Sequence, residues 1–145
     1  MDVTAARTAF VDQLTKVNRK MRTLFDARVR SQGLTLSRAR LLMHLAKQEG
    51  ATQSELAEAL EVEQPSMVSL IDALEKKGFV TRQSVEGDRR AKRIFLTETA
   101  RREAETILDY ADELREQVLL GVDERDLEVA TRVLTQVARN VGAAG

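Results

Sequence analysis

The chain has 145 residues, a length that favours a single domain with a substantial hydrophobic core. It contains no cysteine and one histidine, which excludes disulfides, thiolate metal sites and sites built from several histidines. Its 23 basic and 23 acidic side chains cancel, so net charge alone indicates no partner. No stretch is long and apolar enough for a membrane span or a signal peptide, and we therefore expect a cytoplasmic protein without a membrane partner.

The charges are segregated along the chain. Residues 7–47 carry ten bases and two acids, a net charge of +8, and residues 76–102 carry nine bases and three acids, a net charge of +6. Residues 48–75 carry seven acids and no base, a net charge of −7, and residues 103–128 carry ten acids and two bases, a net charge of −8. Such a chain can present a positive face to a polyanion, although solvated helix faces would give the same pattern.

The first half of the chain predicts four helices, each marked by apolar residues every three or four positions. A Thr-Gln-Ser-Glu capping box suits the start of the third helix, and a proline suits the start of the fourth. The fourth helix is expected to bury Val68, Ile71 and Leu74. The second helix is expected to start at Thr35 or Ser37. The expected ranges are residues 3–31, 35–48, 52–60 and 65–77.

The pattern then changes to that of a hairpin. Phe79–Gln83 and Arg93–Leu96 are short, rich in β-branched or aromatic residues, and flank a polar, basic tip. Two further amphipathic helices follow, one starting at Thr97 and ending near Gly121, the other starting at Asp123.

The order of elements in residues 34–97 is that of a winged helix-turn-helix domain, in which one helix enters the DNA major groove. The helices of residues 1–33 and 98–145 are too apolar on one face to stand alone, so they must pack together or against another subunit. The predicted fold is mainly α with a small β-hairpin wing: a winged helix-turn-helix domain plus an N- and C-terminal helical region.

Within the wing, Arg90 is the first candidate for a DNA contact, because an arginine at a hairpin tip can enter a narrow A·T-rich minor groove. Asp88 can hold its guanidinium through a two-point ion pair. Arg89, Lys92 and Arg93 are expected on phosphates, where they would set affinity and salt dependence. A solvent-exposed ion pair without a role in DNA binding is the simpler alternative for Asp88 and Arg90.

The outer face of the fourth helix offers side chains that suit base edges. Glutamine can pair with adenine, serine can donate to bases or phosphates, and proline or alanine can contact a thymine methyl group. Gln53 and Ser54, at the start of the third helix, can donate to a phosphate. For Gln64 and Ser66, helix capping is the competing explanation. The expected DNA contacts of the fourth helix are Gln64, Pro65, Ser66, Ser69 and Ala73.

The hairpin sequence Asp88-Arg-Arg, separated by five residues from Leu96-Thr97, resembles the wing motif of MarR-family transcription regulators. The segments Glu63–Ser66 and Leu74–Gly78 are most similar to the SlyA branch of that family. Two other features are also similar to the SlyA branch: Leu34-Thr35 and the spacing of Arg22, Asp26 and Arg28. The chain departs from this branch at Ser69, where the branch carries an arginine, so a strong guanine contact is missing and the base preference is expected to differ.

This resemblance implies a nucleoid-associated homodimer, joined through a dimerisation region made of residues 1–33 and 98–145. It implies an inverted-repeat operator on double-stranded DNA, regulation (often repression) of transcription, and no cofactor. It also implies a small anionic aromatic effector below the DNA-binding head, which needs a cation and an apolar wall. The alternatives are that Met21 and Phe25 only pack against other helices and that His44 has a structural role. The candidate effector residues are Met21, Arg22, Phe25, Arg40, Met43 and His44.

Two other functional classes compete with this hypothesis. A winged helix can serve as a protein-interaction or architectural module without an effector, which predicts no steep salt dependence of DNA binding. An enzyme is not expected, because the sequence has no nucleophile motif, phosphate loop or metal site.

Overall fold

A computed structural model describes residues 2–145, except for the side chains of Asp88, Arg89 and Arg90. The predicted class is confirmed: the chain is mainly helical and has one small antiparallel sheet. The elements in chain order are α1 (Val3–Ser31), α2 (Leu36–Lys47), β1 (Ala51–Thr52), α3 (Gln53–Leu60), α4 (Gln64–Lys76), β2 (Val80–Val85), β3 (Asp88–Leu96), α5 (Glu98–Val118) and α6 (Glu124–Ala144).

The starts of the helices follow the capping signals in the sequence. The Asp2 carboxylate accepts from the Ala5 amide at 2.7 Å, and the Thr35 and Thr52 hydroxyls accept from the third residue after them. Thr97 does the same for α5 by accepting from Ala100, and Asp123 accepts from Arg125 at α6. The predicted helix starts are therefore confirmed to within one or two residues.

The fourth helix differs from the expectation in two respects. Its N-cap is Glu63, which makes no side-chain capping bond, so capping by Gln64 or Ser66 is not the reason for these residues. The buried positions are Met67, Ile71 and Leu74, whereas Val68 is only partly covered. Steps of four and three residues keep Met67, Ile71 and Leu74 on one face, and Val68 lies about 100° further around the helix.

The sheet has the strand order β1-β3-β2 and is antiparallel throughout. Val80 pairs with Leu96 and Arg82 with Ile94, and the hairpin turns at Glu86–Gly87. Both hairpin strands extend further towards the tip than predicted. Strand β1 was not predicted, because two residues are too short to show an alternating pattern.

The chain divides into two units, residues 1–112 and 113–145. The core of the first unit joins the end of α1 to α2, α3, α4, the sheet and the first half of α5, with Leu41, Leu56, Ile71, Ile94 and Ile107 among its fully buried residues. In the second unit, α6 buries none of its residues. No described helix is long and apolar enough to cross a membrane.

Candidate nucleic-acid interface

The first turn of α4 projects from the core of the first unit. Gln64, Pro65, Ser66 and Ser69 are exposed, whereas Ala73 is half-buried. Met67, Ile71 and Leu74 anchor the opposite face of the helix. The polar face predicted to meet DNA is thus a rigidly held helix surface, because its back is packed into the core.

Ser54 of α3 and Gln64 of α4 line one open groove of about 370 Å³. The structure therefore brings together two predicted DNA contacts from different helices. The groove is also lined by Glu58, Glu61 and Glu63, which make no ion pair with any described residue. The groove is therefore negatively charged, in agreement with the net charge of −7 of residues 48–75.

Arg82 of β2 links the wing to both helices of the helix-turn-helix. Its Nε and Nη2 atoms donate to Gln53 Oε1 at 3.0 and 2.8 Å. Its Nη1 atom donates to Glu75 Oε1 at 2.9 Å, and its Nη2 atom also donates to Asp72 Oδ1. One side chain of β2 therefore joins the first residue of α3 to the C-terminal half of α4. Sequence reasoning missed this residue, because its partners lie seven to 29 positions away and follow no periodic pattern.

These bonds also orient Gln53, one of the residues predicted to contact the DNA backbone. A guanidinium only donates, so the amide oxygen must face Arg82 and the amide nitrogen must face away from it. That nitrogen donates to none of the described residues. Gln53 thus presents two N–H donors at the start of α3, close to Ser54.

The wing contains the remaining predicted DNA contacts. The side chains of Asp88, Arg89 and Arg90 lie outside the described part of the chain. Lys92 is exposed on β3. Arg93 uses Nη1 to donate to the Gly50 carbonyl at 2.9 Å, which fastens β3 beside β1.

The base of the wing is fixed by Glu49. Its Oε1 atom accepts from the Leu96 amide at 3.1 Å, and its Oε2 atom accepts from Arg101 Nη2 at 2.6 Å. A single carboxylate thus joins the segment before β1 to the last residue of β3 and the first turn of α5. The hairpin is held at its base from two sides, by Glu49 and by Arg82.

The six candidate effector residues lie on α1 and α2. Phe25 and Met43 pack against the core, and His44 is half-buried. Met21 and Arg22 are exposed. Arg40 donates from Nη2 to the Leu60 carbonyl at 3.2 Å and lines a cavity that contains none of the other five residues. Among described residues, no group of three or more His, Cys, Asp or Glu side chains could hold a metal ion.

Comparison with known proteins shows the relatives of this fold. A family model described as MarR family matches residues 32–91. The solved structure of the transcriptional regulator PA3341 is 36% identical, with a TM-score of 0.84, over 92% of this chain and 98% of that one.

Two more distant structures share the fold. FabT of Streptococcus pneumoniae, solved in complex with DNA, is 18% identical with a TM-score of 0.82, over 96% of this chain and 99% of that one. The transcriptional regulator SlyA is 21% identical with a TM-score of 0.80, over 91% of this chain and 93% of that one. The family model and the extent of the match to PA3341 together show that the chain belongs to the MarR family.

Proposed function

We propose that this protein is a dimeric regulator of transcription that binds double-stranded DNA in a sequence-specific manner and is not an enzyme. The observation that carries the proposal is the exposed polar first turn of α4, on a helix that Arg82 joins to the wing through Asp72 and Glu75. Its family relatives support it: PA3341 is a transcriptional regulator, and FabT was solved with DNA. DNA as the ligand places the protein in the cytoplasm, at the nucleoid.

In this proposal α4 enters the major groove and the wing enters the neighbouring minor groove. Gln64 and Ser69 read base edges, Ser66 donates to a base edge or a phosphate, and Gln53, Ser54, Lys92 and Arg93 donate to phosphates. Arg90 reads the width of the minor groove, and Asp88 orients it. With Ser69 in place of the arginine of the SlyA branch, the base preference differs from that branch.

A second subunit is proposed because two helices carry uncovered apolar surface. Phe10, Leu14 and Val17 are exposed on α1, and Val133 and Leu134 are exposed on α6. Apolar stripes of this kind mark protein interfaces. The dimerisation region, residues 1–33 and 98–145, would then set the two heads about 34 Å apart, one turn of DNA, so that they read an inverted repeat.

We further propose that a small anionic aromatic ligand modulates operator binding. Such a ligand changes occupancy only if it binds differently to DNA-competent and DNA-incompetent head spacings. The partly covered pair Phe25 and Met43 supplies the apolar wall, with Met21, Arg22 and His44 nearby in sequence.

The acidic groove favours one competing function. Glu58, Glu61 and Glu63 surround Gln64 on the surface that should approach a polyanion. A winged helix used as a protein-interaction module would tolerate these acids, or would use them to bind a basic partner. The two functions differ in how binding depends on salt.

The salt dependence of binding to a mixed-sequence duplex therefore tests the proposal. A dimer whose two wings each contact about three phosphates should give a slope of log K against log salt of about −5. Arg90→Ala should weaken binding, whereas Arg139→Ala, which removes the same charge from α6, should not. Absence of binding at low salt, or equal effects of both variants, would favour the interaction module.

A further inference from the structure

A cavity of about 230 Å³ lies beside the recognition helix. It is bounded by α2, by the turn between α3 and α4, and by the outer side of α4. Its lining residues are Ser37, Arg40, Leu60, Val62, Ser66 and Leu70. No acidic side chain lines it, in contrast to the neighbouring groove with its three glutamates.

The cation in this cavity has unused donors. Arg40 is half-buried, and its bond to the Leu60 carbonyl is the only hydrogen bond that its side chain makes with described residues. A guanidinium carries five N–H donors in a planar fork that matches the oxygens of a phosphate or a carboxylate. The bond to the end of α3 fixes the direction of the fork and leaves most of its donors available.

Two hydroxyls complete the donor set. Ser37 lies one helical turn before Arg40 on α2, and Ser66 lies on α4. Neither hydroxyl makes a hydrogen bond to a described residue. Leu60, Val62 and Leu70 form an apolar wall beside these donors. Low-polarity surroundings strengthen a charge-assisted hydrogen bond.

We propose that this cavity is an oxyanion-binding pocket in which Arg40, Ser37 and Ser66 hold one phosphate or carboxylate group. The oxyanion can come from the DNA backbone next to α4 or from a small free anion. This assignment separates Arg40 from the other predicted effector residues. Only the DNA source rests on the proposed function, because binding of a free anion requires no DNA.

The first experiment titrates inorganic phosphate, and separately benzoate, into the full chain at constant ionic strength, followed by amide NMR. Resonances of Ser37, Arg40 and Ser66 should shift and saturate with a Kd on the order of millimolar. Arg40→Gln should weaken this binding at least about tenfold, which is the effect of losing a hydrogen bond to a charged group. Arg38→Gln, which removes the same charge from the same helix outside the cavity, should leave it unchanged.

Because Arg40→Gln also removes the bond to the Leu60 carbonyl, Ser66→Ala serves as a second variant. It keeps the charge and the Arg40–Leu60 bond, and it should weaken phosphate binding by only about threefold, because the hydroxyl is an uncharged donor. Thermal unfolding of each variant shows whether a lost response reflects lost folding.

The second experiment measures the salt dependence of DNA binding with the same variants. One phosphate contact per subunit predicts that Arg40→Gln makes the slope of a dimer less steep by about 2, and Arg38→Gln by less than half of that. A changed slope assigns the pocket to a DNA phosphate, and anion binding with an unchanged slope assigns it to a free anion. If Arg40→Gln and Arg38→Gln behave alike in both experiments, the pocket does not exist. If wild type binds phosphate here but no DNA, the proposed function fails and the pocket stands.

Discussion

At the scale of single residues, Arg82 connects the wing to α3 and α4. Its side chain is only 17% exposed, whereas those of Asp72 and Glu75 are 59% and 43% exposed. The arginine therefore lies beneath two surface carboxylates and neutralises them on the helix that should approach DNA. Without it, these carboxylates would repel both each other and a phosphate backbone.

Arg82→Gln should separate positioning from simple charge. We expect it to lower the free energy of unfolding by about 1–2 kcal/mol, because three acceptors lose a charged donor. It should also weaken DNA binding when affinity is measured well below the unfolding transition. The variant is folded under those conditions, so its lower stability cannot account for the weaker binding. Arg102→Gln, at an exposed ion pair with Glu98, is the control and should change stability by less than about 0.5 kcal/mol. Equal effects of both variants on DNA binding would show that Arg82 contributes charge alone.

Gln53→Glu tests whether the amide nitrogen of Gln53 is a DNA donor. A carboxylate still accepts from Arg82, so the unfolding midpoint should stay within a few degrees of wild type. The substitution removes both N–H donors and places a negative charge near a phosphate, so DNA affinity should fall by about tenfold or more. Ser54→Ala, which removes a neighbouring donor without adding charge, shows how much of the loss comes from repulsion. Unchanged affinity in Gln53→Glu would remove Gln53 from the interface.

At the scale of elements, α4 shows how far local patterns reach. The helix itself was predicted from Pro65, Gly78 and its apolar spacing, which are signals contained in the segment. Of its predicted buried residues, Ile71 and Leu74 are confirmed and Val68 is wrong. Met67 takes its place, and because both are apolar only the packing of α2 and α3 distinguishes them.

A pair of alanine substitutions on α4 checks this correction. Met67→Ala should lower the free energy of unfolding by about 2–4 kcal/mol, because Met67 is fully buried. Val68→Ala, one residue further on, should cost about 1 kcal/mol or less. Chemical denaturation measures the free energy of unfolding of both variants. Equal m-values would show that the difference between them is one of stability. A larger loss in Val68→Ala would place the core face where the sequence pattern suggested.

The candidate site was less predictable from the sequence than the fold. Exposed polar residues at the start of α4 could be identified because their positions follow from the helix period and the cap. The Arg82 network, the Glu49 clamp and strand β1 could not, because each depends on pairing between residues far apart in sequence. The effector residues were chosen by residue type, and the cavity at Arg40 has a different lining from the one expected.

At the scale of the whole molecule, the proposed function requires two DNA-binding heads. Residues 103–128, with a net charge of −8, belong to the proposed dimerisation region, whereas residues 76–102, with a net charge of +6, include the wing. The acidic block would repel DNA and so favour its approach through the basic residues of the wing. Reading an inverted repeat requires two heads, so operator binding and dimerisation should fail together.

Leu134→Asp tests this dependence. A carboxylate on the apolar face of α6, where Leu134 is 40% exposed in the single chain, should convert a dimer to a monomer in light scattering. It should also abolish operator binding. Gln136→Glu adds the same charge to the polar side of α6 and should leave the dimer intact. A dimer that persists in Leu134→Asp would exclude α6 from the subunit interface.

The most direct measurement is selection of bound sites from a random duplex library, with wild type and Arg90→Ala in parallel. The proposed function predicts that wild type recovers an inverted repeat with half-sites about ten base pairs apart. Arg90→Ala should lose the A·T preference at positions beneath the wing and keep the preference in the major groove. Failure of wild type to enrich any sequence would contradict sequence-specific binding, and enrichment of a single unpaired half-site would contradict the dimer.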